Sequence, residues 1–234
     1  MKTKIVFLSG LLCDHTVWQK QIEYFSPQYC VETFEFSHLS SIQDMAKKVI
    51  SNLHDRSIIV GHSMGARVAL EVFRLAPQLV SKIALIDFGI HAVKTGETEK
   101  RFELIDAVRR HGMQYLIPHW LEPMVYLPNI AQIDIFSPMQ KMVLGQTIES
   151  FEAQINALLT RPEVVDVFKC IRIPLYLGVG RQDHWSTLAQ HEAMLEINPN
   201  ADLHIYENSG HMSPLEAADQ INTSLDKWIL SNDQ

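Results

Sequence analysis

The sequence predicts an α/β fold in which helices cover both faces of a mostly parallel six-stranded sheet. Short apolar runs alternate with helical patterns along most of the chain, as in parallel sheets built from crossover units. Most of these runs are continuous rather than alternating apolar with polar residues, which is typical of strands buried on both faces. The alternation stops between about residues 91 and 163 and then resumes, which indicates an inserted segment.

Six strands and five helices are predicted along the chain. The strands are the apolar runs at residues 4–8, 31–36, 57–60, 83–86, 175–179 and 203–206. The helices are predicted at residues 16–25, 42–53, 66–76, 187–197 and 215–230. Pro77 ends the third helix because proline cannot continue one. The sequence Ser213-Pro214-Leu215-Glu216 predicts a capping box, with proline at the first position of the last helix.

The run at residues 31–36 differs from the others because it carries Glu32 and Glu35. Charged side chains on an edge strand discourage pairing with another chain. We therefore expect this run to form one edge of the sheet.

Residues 91–165 are predicted to form a helical cap, and residues 1–90 and 166–234 to form the α/β core. Helical patterns occur at residues 99–117 and 139–160, and no convincing strand lies between them. Breaks are expected at Pro118, Pro123, Pro128 and Pro138. A cap contributes to the substrate pocket more often than to the chemistry. Because residues 91–165 hold seven Lys/Arg and nine Asp/Glu, their composition does not favour an anionic substrate.

Composition and charge exclude several classes of protein. The 234 residues are 47% hydrophobic and 20% charged, which fits a globular chain rather than a disordered one. The net charge of −7 argues against nucleic-acid binding, which requires a basic face. No apolar run approaches the roughly 18 residues of a membrane span. The first run is also too short for a secretory leader, so we expect a cytoplasmic protein.

The three cysteines, Cys13, Cys30 and Cys170, contain no C-x-x-C pair. Zinc ribbons and thioredoxin-type redox sites are therefore excluded, and free thiols in a reducing compartment are expected. No metal and no cofactor are predicted. The sequence does not distinguish a monomer from a homodimer.

The segment Gly61-His62-Ser63-Met64-Gly65 predicts a nucleophilic serine at Ser63. It is a G-x-S-x-G pattern that follows an apolar run and precedes a helix, so the serine stands on a sharp strand-to-helix turn. Glycines on both sides remove side chains that would collide at this turn. The side chain of His62 is expected to point away from the attacking side and to pack or form hydrogen bonds.

A serine nucleophile needs a base and an acid, and these are predicted to be His211 and Asp183. Each residue comes just after a predicted strand, where parallel sheets gather their functional groups. The order Ser…Asp…His also requires a late histidine. Asp87, after another strand, is the competing candidate for the acid.

Two backbone N–H groups are predicted to bind the developing oxyanion. One belongs to Met64, the residue after the nucleophile, and the other to Leu11 in the loop after the first strand. Only main-chain hydrogens are used, so the identity of these side chains matters little.

The order and spacing of these motifs resemble the α/β-hydrolase family, and specifically small capped carboxylesterase-like members. The resemblance rests on FLSGLL (7–12), GHSMG (61–65), IALID (83–87), GVGRQD (178–183) and SGHMSPLE (209–216). It implies Ser63, Asp183 and His211 as a catalytic triad. The family usually carries His-Gly where this chain has Ser9-Gly10, a change that leaves backbone donors in place. The chain also begins at what resembles the third strand of the family, so an all-parallel sheet is expected.

The sequence thus predicts a cofactor-independent serine hydrolase that acts on a small-molecule carboxylic ester through an acyl-enzyme. Cleavage of a thioester or of a carbon–carbon bond beside a ketone stays open. Two rivals are a lyase on the same scaffold and a ligand receptor without enzymatic activity. The four methionines in residues 91–165 suit an apolar pocket, although helix packing is the plainer explanation.

Overall fold

Six strands form one all-parallel sheet in the order β2-β1-β3-β4-β5-β6. In the computed structural model, which describes residues 2–231, the strands are Lys4–Leu8 (β1), Cys30–Phe34 (β2), Ser57–His62 (β3), Val80–Ile86 (β4), Leu175–Gly180 (β5) and Ala201–Tyr206 (β6). The predicted parallel six-stranded sheet is confirmed. Strands β3 and β5 are buried along their whole length, as their continuous apolar runs predict.

Strand β2 lies at one edge of the sheet, which confirms the prediction from its glutamates. Lys4 on β1 donates a hydrogen bond to Glu32 Oε2 at 2.8 Å. Glu32 therefore pairs with Lys4 on the neighbouring strand and also keeps this edge of the sheet polar.

Helices lie on both faces of the sheet. Within residues 2–231 they are Gln19–Phe25 (α1), Ile42–Ile50 (α2), Met64–Leu75 (α3), Glu97–His111 (α4), Leu127–Ile130 (α5), Ile133–Leu144 (α6), Ile148–Leu159 (α7), Val165–Cys170 (α8), Leu188–Ile197 (α9), Ser213–Glu216 (α10) and Ala218–Ser231 (α11). Helix α2 packs against α3, and α1 packs against α11. Right-handed crossovers place these two pairs on opposite faces, because only the β1-to-β2 connection runs towards the β2 edge.

The strand order reverses at β1, which has β2 on one side and β3 on the other. In open parallel sheets, a crevice forms outside the carboxyl ends of the strands at such a switch point. The loops that follow β1 and β3 open into this crevice. They contain Leu11 and Ser63, so the topology places two predicted site residues together.

The chain between β4 and β5, residues 87–174, is named here the β4–β5 connection. It contains α4 to α8 and a π-helical turn at Ile117–Leu121, and no strand occurs among these described residues. Helix α4 packs against α7, and α6 contacts the 3-10 turn His15–Trp18 that follows β1. The connection therefore reaches the carboxyl end of the sheet.

Two local predictions were wrong. Pro138 does not break a helix but lies inside α6, as the sixth of its twelve residues, where its missing N–H removes one intrahelical hydrogen bond. Ser213 does not cap the last helix; the N-cap of α10 is Met212, and the helix breaks at Ala217 before α11 begins. The hydroxyl of Ser213 instead donates to Asp87 Oδ1 at 3.0 Å, so a buried carboxylate competes with the helix terminus for this group.

Candidate active site

Ser63 stands between β3 and α3 in a conformation that few residues adopt. Its φ of 54° and ψ of −114° lie outside the regions that side chains ordinarily allow. The flanking glycines make this turn possible through close backbone approach. A Cβ on Gly61 would collide with the backbone of Gly65 and Ala66, and a Cβ on Gly65 would collide with the Leu8 carbonyl.

His211 lies in the loop between β6 and α10, and its imidazole is buried against the serine. The ring Nε2 is 2.9 Å from Ser63 Oγ. The backbone N–H of His211 donates to the carbonyl of Met124 at 2.7 Å, so the β4–β5 connection helps to hold the histidine.

Asp183 lies in the loop after β5 and contacts the other side of the imidazole. Its Oδ2 is 2.7 Å from His211 Nδ1. Its Oδ1 accepts hydrogen bonds from the N–H groups of Trp185 at 2.7 Å and Ser186 at 2.9 Å. The same carboxylate therefore forms a turn before α9 and orients the imidazole. The N-cap of α9 is Thr187, four residues after Asp183.

His211 and Asp183 shift each other's pKa. Burial lowers the pKa of the His211 imidazole, but the charge and hydrogen bond of Asp183 outweigh burial and leave this pKa raised. Burial raises the pKa of the Asp183 carboxyl, but the charge and hydrogen bond of His211 outweigh it and leave this pKa lowered. An ionised carboxylate beside a more basic imidazole suits proton abstraction from a hydroxyl.

His62 and Asp87 lie close to the hydrogen-bonded chain of Ser63, His211 and Asp183 but are not part of it. His62 Nε2 donates to the backbone carbonyl of His211 at 2.7 Å, which confirms the hydrogen-bonding expectation. Burial and the charge of His211 lower the pKa of His62 to about 3, so its ring is neutral. Asp87 accepts hydrogen bonds from the Gly180 N–H and from the N–H and hydroxyl of Ser213. The structure thus brings Asp183, and not Asp87, against the His211 ring.

The two residues whose N–H groups are predicted to bind the oxyanion, Leu11 and Met64, both line the cavity that contains Ser63. Met64 is the first residue of α3, where the N–H has no acceptor inside the helix. Beside Leu11, the N–H of Leu12 donates to Gln154 Oε1 on α7 at 2.8 Å, and Leu12 has a φ of 59°. The loop after β1 is therefore fixed by a side chain of the β4–β5 connection.

A cavity of about 530 Å³ opens over Ser63 and His211. Part of its lining is apolar and comes from both the core and the β4–β5 connection. At its rim, the ring of Trp120 meets that of Trp185 edge to face, with centroids 6.3 Å apart. The apolar and aromatic lining residues include Leu11, Phe88, Leu104, Trp120, Met124, Ile155, Leu158, Trp185 and Met212. A cavity of this volume accommodates a small organic substrate.

Glu216 is a site-supporting residue that the sequence did not identify as such. Its Oε1 accepts from the N–H groups of Gly210 and Met212, on either side of the predicted base, at 3.1 Å each. Its Oε2 accepts from the Tyr126 N–H at 2.8 Å and Asn129 Nδ2 at 2.9 Å. One carboxylate therefore joins the histidine loop to the β4–β5 connection. The predicted capping box included Glu216, but it assigned the carboxylate to the N-terminus of the last helix.

Among residues 2–231, one group of potential metal ligands lies close together. One ligand atom each of Asp14, His15 and Glu35 falls within 4.8 Å of the others. These residues do not line the cavity, and His15 and Glu35 are exposed. Asp14 Oδ1 already accepts the N–H of Thr16 at 2.7 Å. Helices that are long and apolar enough to cross a membrane do not occur in the described part of the chain.

Comparisons with known proteins agree on the fold. A model of the alpha/beta hydrolase family matches residues 5–223. A protein of Haemophilus influenzae, provisionally named an esterase/lipase, is 21% identical over 257 residues, covering 97% of this chain and 83% of the relative. YclE, an AB hydrolase superfamily protein of Bacillus subtilis, is 33% identical over 191 residues, covering 73% of this chain and 67% of the relative. A thermophilic esterase of Thermogutta terrifontis, solved with malate bound, superposes with a TM-score of 0.91 at 19% identity, covering 100% and 92% of the two chains.

Proposed function

Since the chain belongs to the alpha/beta hydrolase family, we propose that it is a serine hydrolase that cleaves a carboxylic ester through an acyl-enzyme. One observation carries the proposal. Ser63 Oγ, the His211 ring and the Asp183 carboxylate form a continuous chain of hydrogen bonds, 2.9 Å and 2.7 Å long, beside a cavity of about 530 Å³.

In the first step, His211 Nε2 takes the proton of the Ser63 hydroxyl as Oγ attacks the ester carbonyl. Asp183 keeps the Nδ1 proton of His211 in place and stabilises the imidazolium that forms. The strained turn at Ser63 presents the hydroxyl to the cavity, so the attack needs no change in the backbone.

The N–H groups of Leu11 and Met64 are proposed to bind the oxyanion of the tetrahedral intermediate. The α3 helix starts at Met64, and the partial positive charge of a helix N-terminus favours a negative charge there. The Gln154 side chain holds the neighbouring Leu12 N–H, which keeps the Leu11 loop from turning away.

His211 then protonates the departing ester oxygen as its bond to the carbonyl carbon breaks, so the alcohol leaves and the acyl group stays on Ser63. Water enters, and His211 removes its proton as the water attacks the acyl-enzyme. The second intermediate collapses to the carboxylic acid, and His211 returns the proton to Ser63 Oγ.

Residues 91–165 are proposed to act as a cap, with residues 1–90 and 166–234 as the catalytic core. Leu104, Trp120, Ile155 and Leu158 support this division, because these residues of the proposed cap line the cavity. The cap contributes enclosure and selectivity, whereas every proposed reacting group belongs to the core. The activity is proposed to be cytoplasmic on the sequence grounds given above.

A chain-length series of p-nitrophenyl esters tests the proposal with the wild type, Ser63→Ala and Ser51→Ala. Ser51 is an exposed serine at the end of α2 and serves as the matched control. We expect Ser63→Ala to lower kcat by about 10⁴- to 10⁶-fold, with Ser51→Ala unchanged. Equal rates for the wild type and Ser63→Ala would contradict the proposal.

Further substrates, a rapid-quench experiment and a binding assay separate the alternatives. Thioesters or β-diketones cleaved faster than every ester would replace the substrate class while keeping the triad. Turnover of a substrate without an acyl group on Ser63 at rapid quench would favour a lyase. Tight ligand binding without turnover of any ester, thioester or diketone would favour a receptor.

A further inference from the structure

The active-site cavity is lined by more cations than carboxyl groups. Five Lys or Arg side chains line it, together with two carboxyl groups, Glu97 and Asp87. The five cations are Arg67, Lys94, Lys100, Arg101 and Arg161. The cavity also contains the proposed nucleophile, so these cations and Ser63 share one space.

The position of these charges reverses what composition suggests. Residues 91–165 hold seven Lys/Arg and nine Asp/Glu. Four of those seven cations line the cavity, but only one of those nine acids, Glu97, does so. The composition of this segment does not indicate an anionic substrate, but a sum over a segment ignores which face each charge occupies, and most of its cations lie at the cavity.

Glu97 is already occupied by its own partners. Its two oxygens accept from Arg161 Nη1 at 2.7 Å and Nη2 at 2.8 Å, and Arg101 Nε donates to Oε1 at 3.0 Å. Burial raises the pKa of Glu97, but the hydrogen bonds from Arg161 and Lys94 N–H outweigh it and bring the pKa to about 2. One carboxylate thus pairs directly with two arginines, and it makes no hydrogen bond to the side chains of the other three cations, although its charge also acts on Arg67 from a distance.

Two of these cations are buried, Arg161, which pairs with Glu97, and Arg67, which does not. Arg67 lies on α3 four residues after Ser63, about one helical turn away along the axis, and its side chain is 6% exposed. Its Nη2 donates to the carbonyls of Gly89 at 2.6 Å and His91 at 2.8 Å. Within residues 2–231, its Nε and Nη1 make no hydrogen bond, and no carboxylate pairs with it. A buried guanidinium of this kind is stabilised by an anion that enters the cavity.

Asp87 does not supply that anion. Its oxygens accept from the Gly180 N–H and from Ser213, on the side of the cavity where the β5 and β6 loops meet. Burial, and then repulsion from Asp183, raises the pKa of Asp87 well above its ordinary value. The carboxyl is thereby shifted towards its neutral form.

We propose that the substrate carries an ionised carboxylate in addition to the bond that is cleaved, and that Arg67, with Lys94 and Lys100, binds it. The two exposed lysines attract the anion to the cavity mouth, and the free Nε and Nη1 of Arg67 can receive its two oxygens side by side. This inference rests on the proposed function and specifies the substrate class of the same site.

The test compares pairs of substrates that differ only in charge. On the acyl side, p-nitrophenyl half-esters of dicarboxylic acids with four to eight carbons are paired with p-nitrophenyl esters of monoacids of equal length. On the alcohol side, acetate esters of ω-hydroxy acids are paired with those of the ω-hydroxy amides. The readout is the ratio of kcat/KM for the charged and neutral members of each pair.

We expect the wild type to prefer the charged member of at least one pair by about tenfold, and the preference to fall as salt rises to about 0.5 M. Arg67→Met should reduce the ratio towards one, while Arg67→Lys retains part of it. Because Arg67 also holds two backbone carbonyls, Lys100→Met provides a second variant with an exposed side chain. Arg110→Met, outside the cavity, should keep the wild-type ratio.

The failures are distinguishable. If the wild type cleaves no ester of either kind, the proposed function fails. If it cleaves neutral esters but shows a ratio of one or less in every pair, the carboxylate inference is wrong and the proposed function stands. A preference that neither Arg67→Met nor Lys100→Met changes would also overturn the inference.

Discussion

The cavity has two sides that are built in different ways. Ser63, Asp183 and His211 each follow a strand of one parallel sheet, so the register of β3, β5 and β6 sets their separations. The β4–β5 connection lines the same cavity with residues of helices and turns, whose positions are not set by strand pairing. The loops after the strands contain the proposed reacting groups. The β4–β5 connection encloses the cavity and contributes most of its charged lining residues.

The two sides are joined by a few hydrogen bonds. The Met124 carbonyl accepts the His211 N–H, Gln154 accepts the Leu12 N–H, and Glu216 accepts from Tyr126 and from the histidine loop. The β4–β5 connection therefore also helps to position the loops that follow the strands. Substitutions on each side of the cavity separate the two contributions.

The largest effect is expected at the sheet side, for Asp183→Asn. An asparagine cannot stabilise the imidazolium, so kcat should fall by about 10³- to 10⁴-fold. Because Asp183 raises the pKa of His211, which must be neutral to act as a base, the acid limb of the pH–rate profile should move to lower pH. Stopped assays across the pH range measure both effects.

Asp87→Asn provides the comparison for Asp183→Asn. Asp87 makes no hydrogen bond to the His211 ring among the described residues, so its loss should change kcat by less than about tenfold, mainly through stability. If Asp87→Asn abolished turnover and Asp183→Asn did not, the acid would be assigned wrongly.

A smaller effect is expected for Glu216→Gln, which weakens the junction between the two sides. The amide would face two N–H donors with its own NH2 group and leave them without acceptors. We expect the free energy of unfolding to fall by about 2–3 kcal/mol, as measured by chemical denaturation. Glu207→Gln is the control, because Glu207 pairs with Arg181 at the exposed surface and should change the midpoint little. Equal shifts for both variants would remove Glu216 from this role.

The smallest effect is expected for Gln154→Leu, which removes the acceptor of the Leu12 N–H but keeps the core packed. The neighbouring Leu11 donor should become less well placed, so kcat should fall by about tenfold with KM little changed. Gln154→Glu keeps an acceptor oxygen and should recover part of the loss. A change confined to KM would indicate a role in the pocket instead.

The strand-end residues could be predicted because local signals mark them. Ser63 has its glycines and its flanking strand and helix, and His211 and Asp183 each follow an apolar run. The sheet follows from the same runs, and Glu32 of β2 identifies its edge. These features depend on residues close together in sequence.

The contributions of the β4–β5 connection could not be predicted in this way. Gln154 meets Leu12 across 142 positions and Glu216 meets Tyr126 across 90, and no local pattern reports such pairs. The Met124 carbonyl, which accepts the His211 N–H, is a backbone group that every residue type has, so the sequence does not mark it. Arg67 left one weak signal, a charged residue within the apolar helix sequence Ala66-Arg67-Val68-Ala69-Leu70. Its position against the β4–β5 connection, where it donates to the Gly89 and His91 carbonyls, depends on contacts that the fold alone creates.

Ser63 is proposed to be the activated nucleophile of the cavity, and covalent labelling probes this role without the need for a known substrate. The folded protein is treated with a fluorophosphonate probe, and the adduct is located by intact-protein and peptide mass spectrometry. We expect one adduct, on Ser63, that is absent in Ser63→Ala and forms much more slowly in Asp183→Asn. An adduct on another residue, or equal labelling of the wild type and Ser63→Ala, would show that Ser63 is not the activated nucleophile.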